Sequence, residues 1–158
     1  MRPNTAKSAE LQIMAWFLEA RWEVFTPLAD QNATDLVVRR PSSDELLAIQ
    51  VKHKEPGARN EGQLYNSWGW TRPPFDYLVF YQVEKCRGVI LPRSFFSGRG
   101  QTLFFYKLDS DGYSNGPVRK LFQVYAFDLA TTPILERGQA FEQVFLSVHA
   151  SAISKGAA

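Results

Sequence analysis

The sequence predicts a mixed α/β (α+β) fold, with a helix near each end of the chain and strands between them. Apolar residues recur at helical spacing over residues 5–21 and again over about 133–149. Between them, runs rich in β-branched and aromatic residues alternate with turn-forming segments, as is typical of hairpins. The 158 residues are 45% hydrophobic and 22% charged, a globular composition that excludes disordered and low-complexity classes. Since no repeat or linker divides the chain, we expect one domain over residues 1–158.

The first half of the chain is predicted to form a helix, an edge strand and a hairpin. The helix covers residues 5–21, and a short edge strand follows at residues 22–27, where a proline ends it. Residues 35–40 and 46–54 are the two strands of the hairpin, joined by a turn at residues 41–45. The second of these strands is apolar enough to be central in its sheet and covered on both faces.

More strands are predicted in the second half. Residues 55–75, rich in Gly, Pro, Arg and Trp, are expected to form a loop and a short helix. Residues 76–83 and 87–91 form a second predicted hairpin. Residues 101–108 and 118–128 are two further strand candidates, separated by a turn-rich segment, and we expect them to pair as a β-ribbon.

Composition and motifs exclude several classes of protein. Cys86 is the only cysteine, so an internal disulfide is impossible, a structural zinc site is disfavoured and a reducing compartment is expected. No nucleophile elbow and no Walker-type glycine loop are present. No run approaches the roughly 18 apolar residues of a membrane helix, so we expect no membrane partner and a cytoplasmic location. The net charge of +2 permits nucleic-acid binding without requiring it.

Polar residues occur where apolar surroundings are predicted. Glu10 falls inside the apolar arc of the first helix, where a carboxylate needs a cation, a metal or hydrogen-bond donors. Gln50 and Lys52 share one face of the predicted central strand. Asp35 on the adjacent strand, and Glu10 on a helix packed against that face, would supply their partners. Taken alone, Glu10 also fits a partly exposed rim position and Asp35 fits an ordinary turn residue.

The order of these residues resembles that of the PD-(D/E)XK nuclease superfamily. Its pattern is a helix bearing Glu, a strand-opening Asp, and a strand carrying an acid, any residue and Lys. Here the pattern is Glu10, then Asp35, then Gln50-Val51-Lys52. The Gln-x-Lys form is similar to the variant found in a group of intron-encoded homing endonucleases.

The resemblance covers residues 5–92 and leaves residues 93–158 as a C-terminal elaboration. It implies a restriction-endonuclease-like core, in which helices flank a central mixed sheet, with an extra C-terminal β-ribbon and helix. The chain departs from the pattern at two positions. Thr34 stands where the pattern has Pro, and Gln50 stands where it has an acid, which removes one negative charge from the site.

By this resemblance the chain would be a DNA endonuclease that uses Mg²⁺ or Mn²⁺. Asp35 would be the main metal ligand, and Gln50 and the backbone carbonyl of Val51 would complete the inner shell. Glu10 would hold an outer-shell or second-metal water. Lys52 would orient the attacking water and stabilise the charge of the transition state. The two carboxylates and the one ammonium leave a deficit of positive charge that a cation would fill.

DNA is the implied partner, in a DNA-containing compartment such as the nucleoid. Cutting both strands requires two active sites, so a homodimer or homotetramer is expected. Several basic residues fit phosphate contacts, although such a run more often forms a solvated face: Arg39, Arg40, His53, Lys54, Arg59, Arg119 and Lys120. The alternative is a catalytically inactive nucleic-acid-binding or protein-interaction module on the same fold, which Gln50 supports.

Overall fold

A computed structural model of the chain describes residues 5–28, 33–53, 63–64, 74–96, 103–104 and 125–156. Short 3-10 turns cover Val83–Lys85, Arg93–Phe96 and Ile134–Glu136. The helices and strands in chain order are α1 (Thr5–Glu19), β1 (Glu23–Phe25), β2 (Leu36–Arg39), β3 (Leu46–His53), β4 (Gln63–Leu64), β5 (Tyr77–Gln82), β6 (Arg87–Pro92), β7 (Leu103–Phe104), β8 (Ala126–Asp128) and α2 (Arg137–Gly156).

The main sheet has six strands in the order β1-β2-β3-β5-β6-β8. β3 and β5 are parallel, and the other neighbours are antiparallel, so the sheet is mixed. Helices, a mixed sheet and a C-terminal helix confirm the predicted α+β class. The single-domain assignment stays a prediction.

The central strands are the apolar runs of the sequence. All six residues of β5 are buried, and β3 is mostly buried along its length. Because both faces of these strands are covered, their sequences lack the strict alternation of a half-exposed strand. β1 lies at the sheet edge, as predicted for the short run before Pro27.

An aromatic cluster joins both helices to one face of the sheet. Trp16 of α1 packs edge-on against Tyr81 of β5, with ring centroids 5.0 Å apart. Phe145 of α2 lies 4.9 Å from Tyr77 of the same strand. The helices also contact each other through Phe17, whose ring is 5.3 Å from that of Phe141. Edge-to-face pairs of this kind add to the free energy gained by burial alone.

Polar contacts fasten α2 to the sheet as well. His149 lies between Tyr77, whose hydroxyl is 2.5 Å from Nδ1, and Glu45, whose carboxylate is 3.2 Å from Nε2. Burial raises the pKa of Tyr77 above its usual value. Two turns earlier on the same face of the helix, the Trp22 indole donates to Glu142 over 2.7 Å. None of the helices that the structure describes is long and apolar enough to cross a membrane.

The helix ends differ from their predicted positions for local reasons. α1 ends at Glu19 because Arg21 adopts a left-handed φ of 68° and the Trp22 N–H returns to the Phe17 carbonyl over 2.9 Å. α2 begins at Arg137, later than predicted, because Pro133 precedes a 3-10 turn, and it continues to Gly156.

The structure describes only parts of the two strands of the predicted C-terminal ribbon, so their pairing with each other stays a prediction. β7, inside the predicted strand 101–108, pairs with β4. β8, inside the predicted strand 118–128, pairs with β6 and extends the main sheet. β6 would otherwise leave an unpaired edge, and β8 covers it. The rest of both segments lies outside the described residues.

Gly88 of β6 occupies a position that does not accommodate a side chain. A Cβ atom there would lie 1.9 Å from the Phe80 carbonyl oxygen and 2.9 Å from Cζ of Phe127. Because the first of these is backbone of the neighbouring strand, we expect Gly88→Ala to lower the free energy of unfolding by about 3 kcal/mol. Gly156→Ala is the control, since its methyl group meets nothing within 4 Å. Urea unfolding of both variants measures the difference, and equal stabilities would contradict the argument.

Candidate active site

Asp35 joins the beginning of β2 to the middle of β3. Its backbone N–H donates to the Ile49 carbonyl over 2.9 Å. Its carboxylate Oδ2 accepts the Val51 N–H at 2.7 Å and the Gln50 side-chain amide at 2.5 Å. The carboxylate therefore takes the place of a backbone acceptor where the β2–β3 ladder ends, and this holds it in a defined position.

The side chain of Gln50 is buried, with 2% of the residue exposed, and half of its amide is unsatisfied. Nε2 contacts both Asp35 Oδ2 and, at 3.3 Å, the Val51 carbonyl oxygen. Oε1 is buried without a hydrogen-bond partner among the described residues. An unpaired buried acceptor costs about 1–3 kcal/mol, so this oxygen indicates a missing partner.

The oxygens around Gln50 fit a hard divalent cation. A carboxylate, an amide and a backbone carbonyl are oxygen ligands of the kind that Mg²⁺ and Mn²⁺ accept. The amide NH₂ of Gln50 now contacts the two acceptors, Asp35 and Val51. If the amide turned over, its oxygen would lie beside the Asp35 carboxylate and the Val51 carbonyl in place of its nitrogen. Three acceptor oxygens this close repel one another, so the arrangement requires a positive charge between them.

Glu10 lies at the rim of the core and not inside it. Its side chain is 21% exposed and forms an ion pair with Lys7 over 2.6 Å. Both residues line a cavity of about 260 Å³ whose wall also includes Thr34 and Asp35. The helix acid and the strand acid therefore face the same cavity, whereas Gln50 meets Asp35 from the sheet side.

Lys7 is a cation in this cavity that the sequence pattern did not indicate. A hydrogen bond to Glu10 and the charge of Glu10 raise the pKa of the Lys7 ammonium, and the charge of Asp35 adds a smaller contribution. The spacing of three residues between Lys7 and Glu10 was the available signal, since such pairs are neighbours on a helix surface.

The expected packing of α1 on the face of Gln50 and Lys52 is wrong. Tyr81 faces α1, and Tyr81 is the register partner of His53 on β3. Since alternate residues of a strand point to opposite faces, Gln50 and Lys52 point away from α1. Lys52 is partly exposed there, and its amine has no hydrogen bond or ion pair with the described residues.

Arg39 and Arg40 lie at the opposite end of the sheet from Asp35. Arg39 is the register partner of Leu46, four residues along β2 from Asp35, a separation of roughly 13 Å at the usual rise of a strand. Its guanidinium forms an ion pair with Glu23. These two arginines therefore do not belong to the group around Gln50.

His53 is buried, which argues against the predicted phosphate contact. Its side chain is 3% exposed, and its Nδ1 lies 2.8 Å from the Tyr81 carbonyl oxygen. The ring faces the helix side of the sheet. The other predicted phosphate contacts, Lys54, Arg59, Arg119 and Lys120, lie outside the described residues.

Asp76 is a second strand-opening acid, and it performs a structural task. Its carboxylate accepts the Ala48 N–H over 2.8 Å and pairs with Arg93 at 3.0 Å. It thus holds β5 to β3 from the side opposite Asp35. Within the part of the chain that the structure describes, no three His, Cys, Asp or Glu side chains form a group that could hold a metal ion.

The arrangement of strands and helices is similar to that of a solved bacterial homing endonuclease, I-Ssp6803I. The similarity covers 85% of this chain and 93% of that chain, with a TM-score of 0.55 and 20% sequence identity. The chain has a homing endonuclease-like fold. At this identity the likeness establishes the fold alone. A scan of protein-family models and a search of curated proteins find no match.

Removal of the Asp35 carboxylate should destabilise the protein without any cation present. Asp35→Ala leaves the Val51 N–H and the Gln50 amide without their acceptor, so we expect a loss of about 2–4 kcal/mol in the free energy of unfolding. Asp44→Ala, at an exposed position, is the control and should change it by less than about 0.5 kcal/mol. Denaturant unfolding in EDTA measures both, and a neutral Asp35→Ala would mean that the carboxylate does not brace the strands.

Proposed function

We propose that this chain is a metal-dependent DNA endonuclease that hydrolyses phosphodiester bonds at sites chosen by DNA sequence or structure. The observation that carries the proposal is the buried amide of Gln50, whose Nε2 contacts the Asp35 carboxylate and the Val51 carbonyl and whose Oε1 has no partner among the described residues. The homing endonuclease-like fold supports it. A structural glutamine would not need to bury one amide oxygen without a partner.

Mg²⁺ or Mn²⁺ is the proposed cofactor. Asp35, Gln50 and the Val51 carbonyl would hold it, with Glu10 facing the same cavity as Asp35. When bound, a divalent cation neutralises charge on a phosphate and lowers the pKa of a water molecule. The hydrogen bond from the Val51 N–H keeps the Asp35 carboxylate in place before any substrate arrives, and the Gln50 amide would turn to bring its oxygen to the cation.

Lys52 is the proposed catalytic cation. It shares a strand face with Gln50, is partly exposed and has no ion-pair partner among the described residues. An unpaired ammonium can approach a phosphate, where it orients the attacking water and stabilises the charge that develops on the phosphate oxygens.

DNA is the proposed partner, and two or more copies of the chain would act together. Each chain supplies one such site, whereas cutting a duplex requires one site for each strand. A homodimer or a homotetramer with closed symmetry would present two sites in the required relation.

An inactive binding module on the same fold is the second candidate. Two observations favour it: the site has an amide where a third acid would strengthen cation binding, and Lys7 already pairs with Glu10. A titration with Mn²⁺ separates the two functions, since an inactive module would show neither cation binding nor cleavage.

Cleavage assays test the proposal directly. The purified chain should cut duplex DNA only with Mg²⁺ or Mn²⁺, and Lys52→Ala should lower the rate about 100-fold or more, because it removes charge stabilisation from the transition state. DNA affinity in Ca²⁺ or EDTA should stay within about twofold, as expected for one phosphate contact at most. Lys155→Ala, at an exposed position of α2, is the matched control. Equal cleavage by wild type and Lys52→Ala would remove Lys52 from the mechanism, and cleavage in EDTA would remove the cation.

An acid at position 50 should affect stability and cation binding in opposite directions. Gln50→Glu removes the amide donor to Asp35 and sets two carboxylates side by side, so the cation-free protein should lose about 1–3 kcal/mol of stability. With Mn²⁺ the added charge should tighten binding about tenfold or more, since 1.4 kcal/mol is one order of magnitude.

Gln82→Glu is the control for this variant. Gln82 is also a buried sheet glutamine, and its side-chain oxygen accepts from Arg87, away from the site. Isothermal titration calorimetry of both variants should show tighter Mn²⁺ binding for Gln50→Glu alone. A gain in both, or in neither, would contradict a cation site at Gln50.

A further inference from the structure

We propose that Lys7 is a positioning residue, which pairs with Glu10 on the acidic side of the site when no cation is bound. A divalent cation that enters the site competes with Lys7 for the Glu10 carboxylate. The inference rests on the proposed function, because it concerns the same site. Lys7 is not part of the Glu10, Asp35, Gln50-Val51-Lys52 pattern. Through this residue, helix α1 lowers the affinity of the site for the cation.

The first support is geometric. The Lys7 ammonium lies 2.6 Å from the Glu10 carboxylate, and both side chains line the cavity that Asp35 also lines. Asp35 acts on the same ammonium through its charge. The ammonium therefore pairs with the helix acid in a cavity that the strand acid also lines, where its positive charge is attracted to both.

The second support is the balance of charge. Gln50 supplies no charge, so among the described residues Glu10 and Asp35 are the carboxylates of the site, and Lys7 and Lys52 are its ammonium groups. A divalent cation that enters beside Asp35 meets a like charge on Lys7. Either Lys7 leaves Glu10 or the cation binds more weakly, and in both cases Lys7 lowers the affinity.

The third support is the freedom of Lys7 to move. Its side chain is 59% exposed, and the four-carbon stem of a lysine is flexible. The ammonium can therefore turn to solvent without unfolding the helix. An exposed ion pair within one helix contributes little stability, which makes its displacement inexpensive. The contact is therefore suited to give way when a stronger cation arrives.

Calorimetric titration of Mn²⁺ into the full chain, without DNA, tests the inference. Lys7→Met keeps the length of the side chain and removes its charge, so we expect the Kd for Mn²⁺ to fall about three- to fivefold, the upper part of the range of one exposed charge pair. Lys7→Arg keeps the charge and should stay within about twofold of wild type. Lys155→Met, which makes the same change on α2, is the matched control and should not alter the Kd.

The outcomes separate Lys7 from the proposed function. Tighter Mn²⁺ binding by Lys7→Met alone supports the inference, also where wild-type binding is too weak to detect. Binding by wild type with an equal or weaker Kd in Lys7→Met overturns the inference and leaves the cation site standing. No binding by any variant, together with no DNA cleavage by wild type, overturns both. Lys7→Gln, checked by circular dichroism, replaces Lys7→Met if the latter does not fold.

A purely structural role for Lys7 predicts a different pattern. Loss of an ordinary helix ion pair would lower the thermal stability of Lys7→Met and leave the Kd for Mn²⁺ unchanged. A phosphate-contact role would weaken DNA binding in EDTA and also leave that Kd unchanged. Either result overturns the competition.

Discussion

The hydrogen bonds between the Asp35 carboxylate and β3 are the interaction on which the rest of the candidate site depends. Oδ2 accepts hydrogen bonds from the Val51 backbone and from the Gln50 side chain. This one atom therefore fixes where β2 begins, its register against β3 and the rotamer of a buried glutamine. Gln50 and Val51 are buried and Asp35 is partly buried, and in such surroundings hydrogen bonds are strong and unpaired groups are costly. Any function of the site begins from a carboxylate that the backbone itself holds in place.

The aromatic core decides what reaches that carboxylate. Trp16 and Phe17 anchor α1 against β5 and α2, and this packing leaves the first turns of the helix over the cavity beside Asp35. Glu10 therefore meets Asp35 at the rim, while the sheet separates α1 from Gln50 and Lys52. The site is consequently built from both faces of the sheet, with Asp35 as the residue common to them.

Charge at the site is balanced in an unusual way. An amide replaces a carboxylate at position 50, and an ammonium from α1 pairs with one of the two remaining acids. Both features lower the attraction for a cation, whereas Oε1 of Gln50, which has no partner in the described part of the chain, favours one. These opposing contributions make the affinity for a divalent ion the central quantity for this protein, since it distinguishes a nuclease from a scaffold that keeps only the fold.

The sequence by itself determined the order of elements, the central position of β3 and the meeting of Asp35 with Gln50, because hydrophobic periodicity and strand alternation are local properties. Tertiary structure alone decided which face α1 covers, that β8 completes the sheet beside β6, that His53 is buried, and that Asp76 braces β5. It also decided that Lys7 turns towards Glu10 and Asp35. These outcomes depend on contacts between residues far apart in the chain. A local sequence pattern shows that both faces of a strand are covered, but it does not tell which face a given helix packs against.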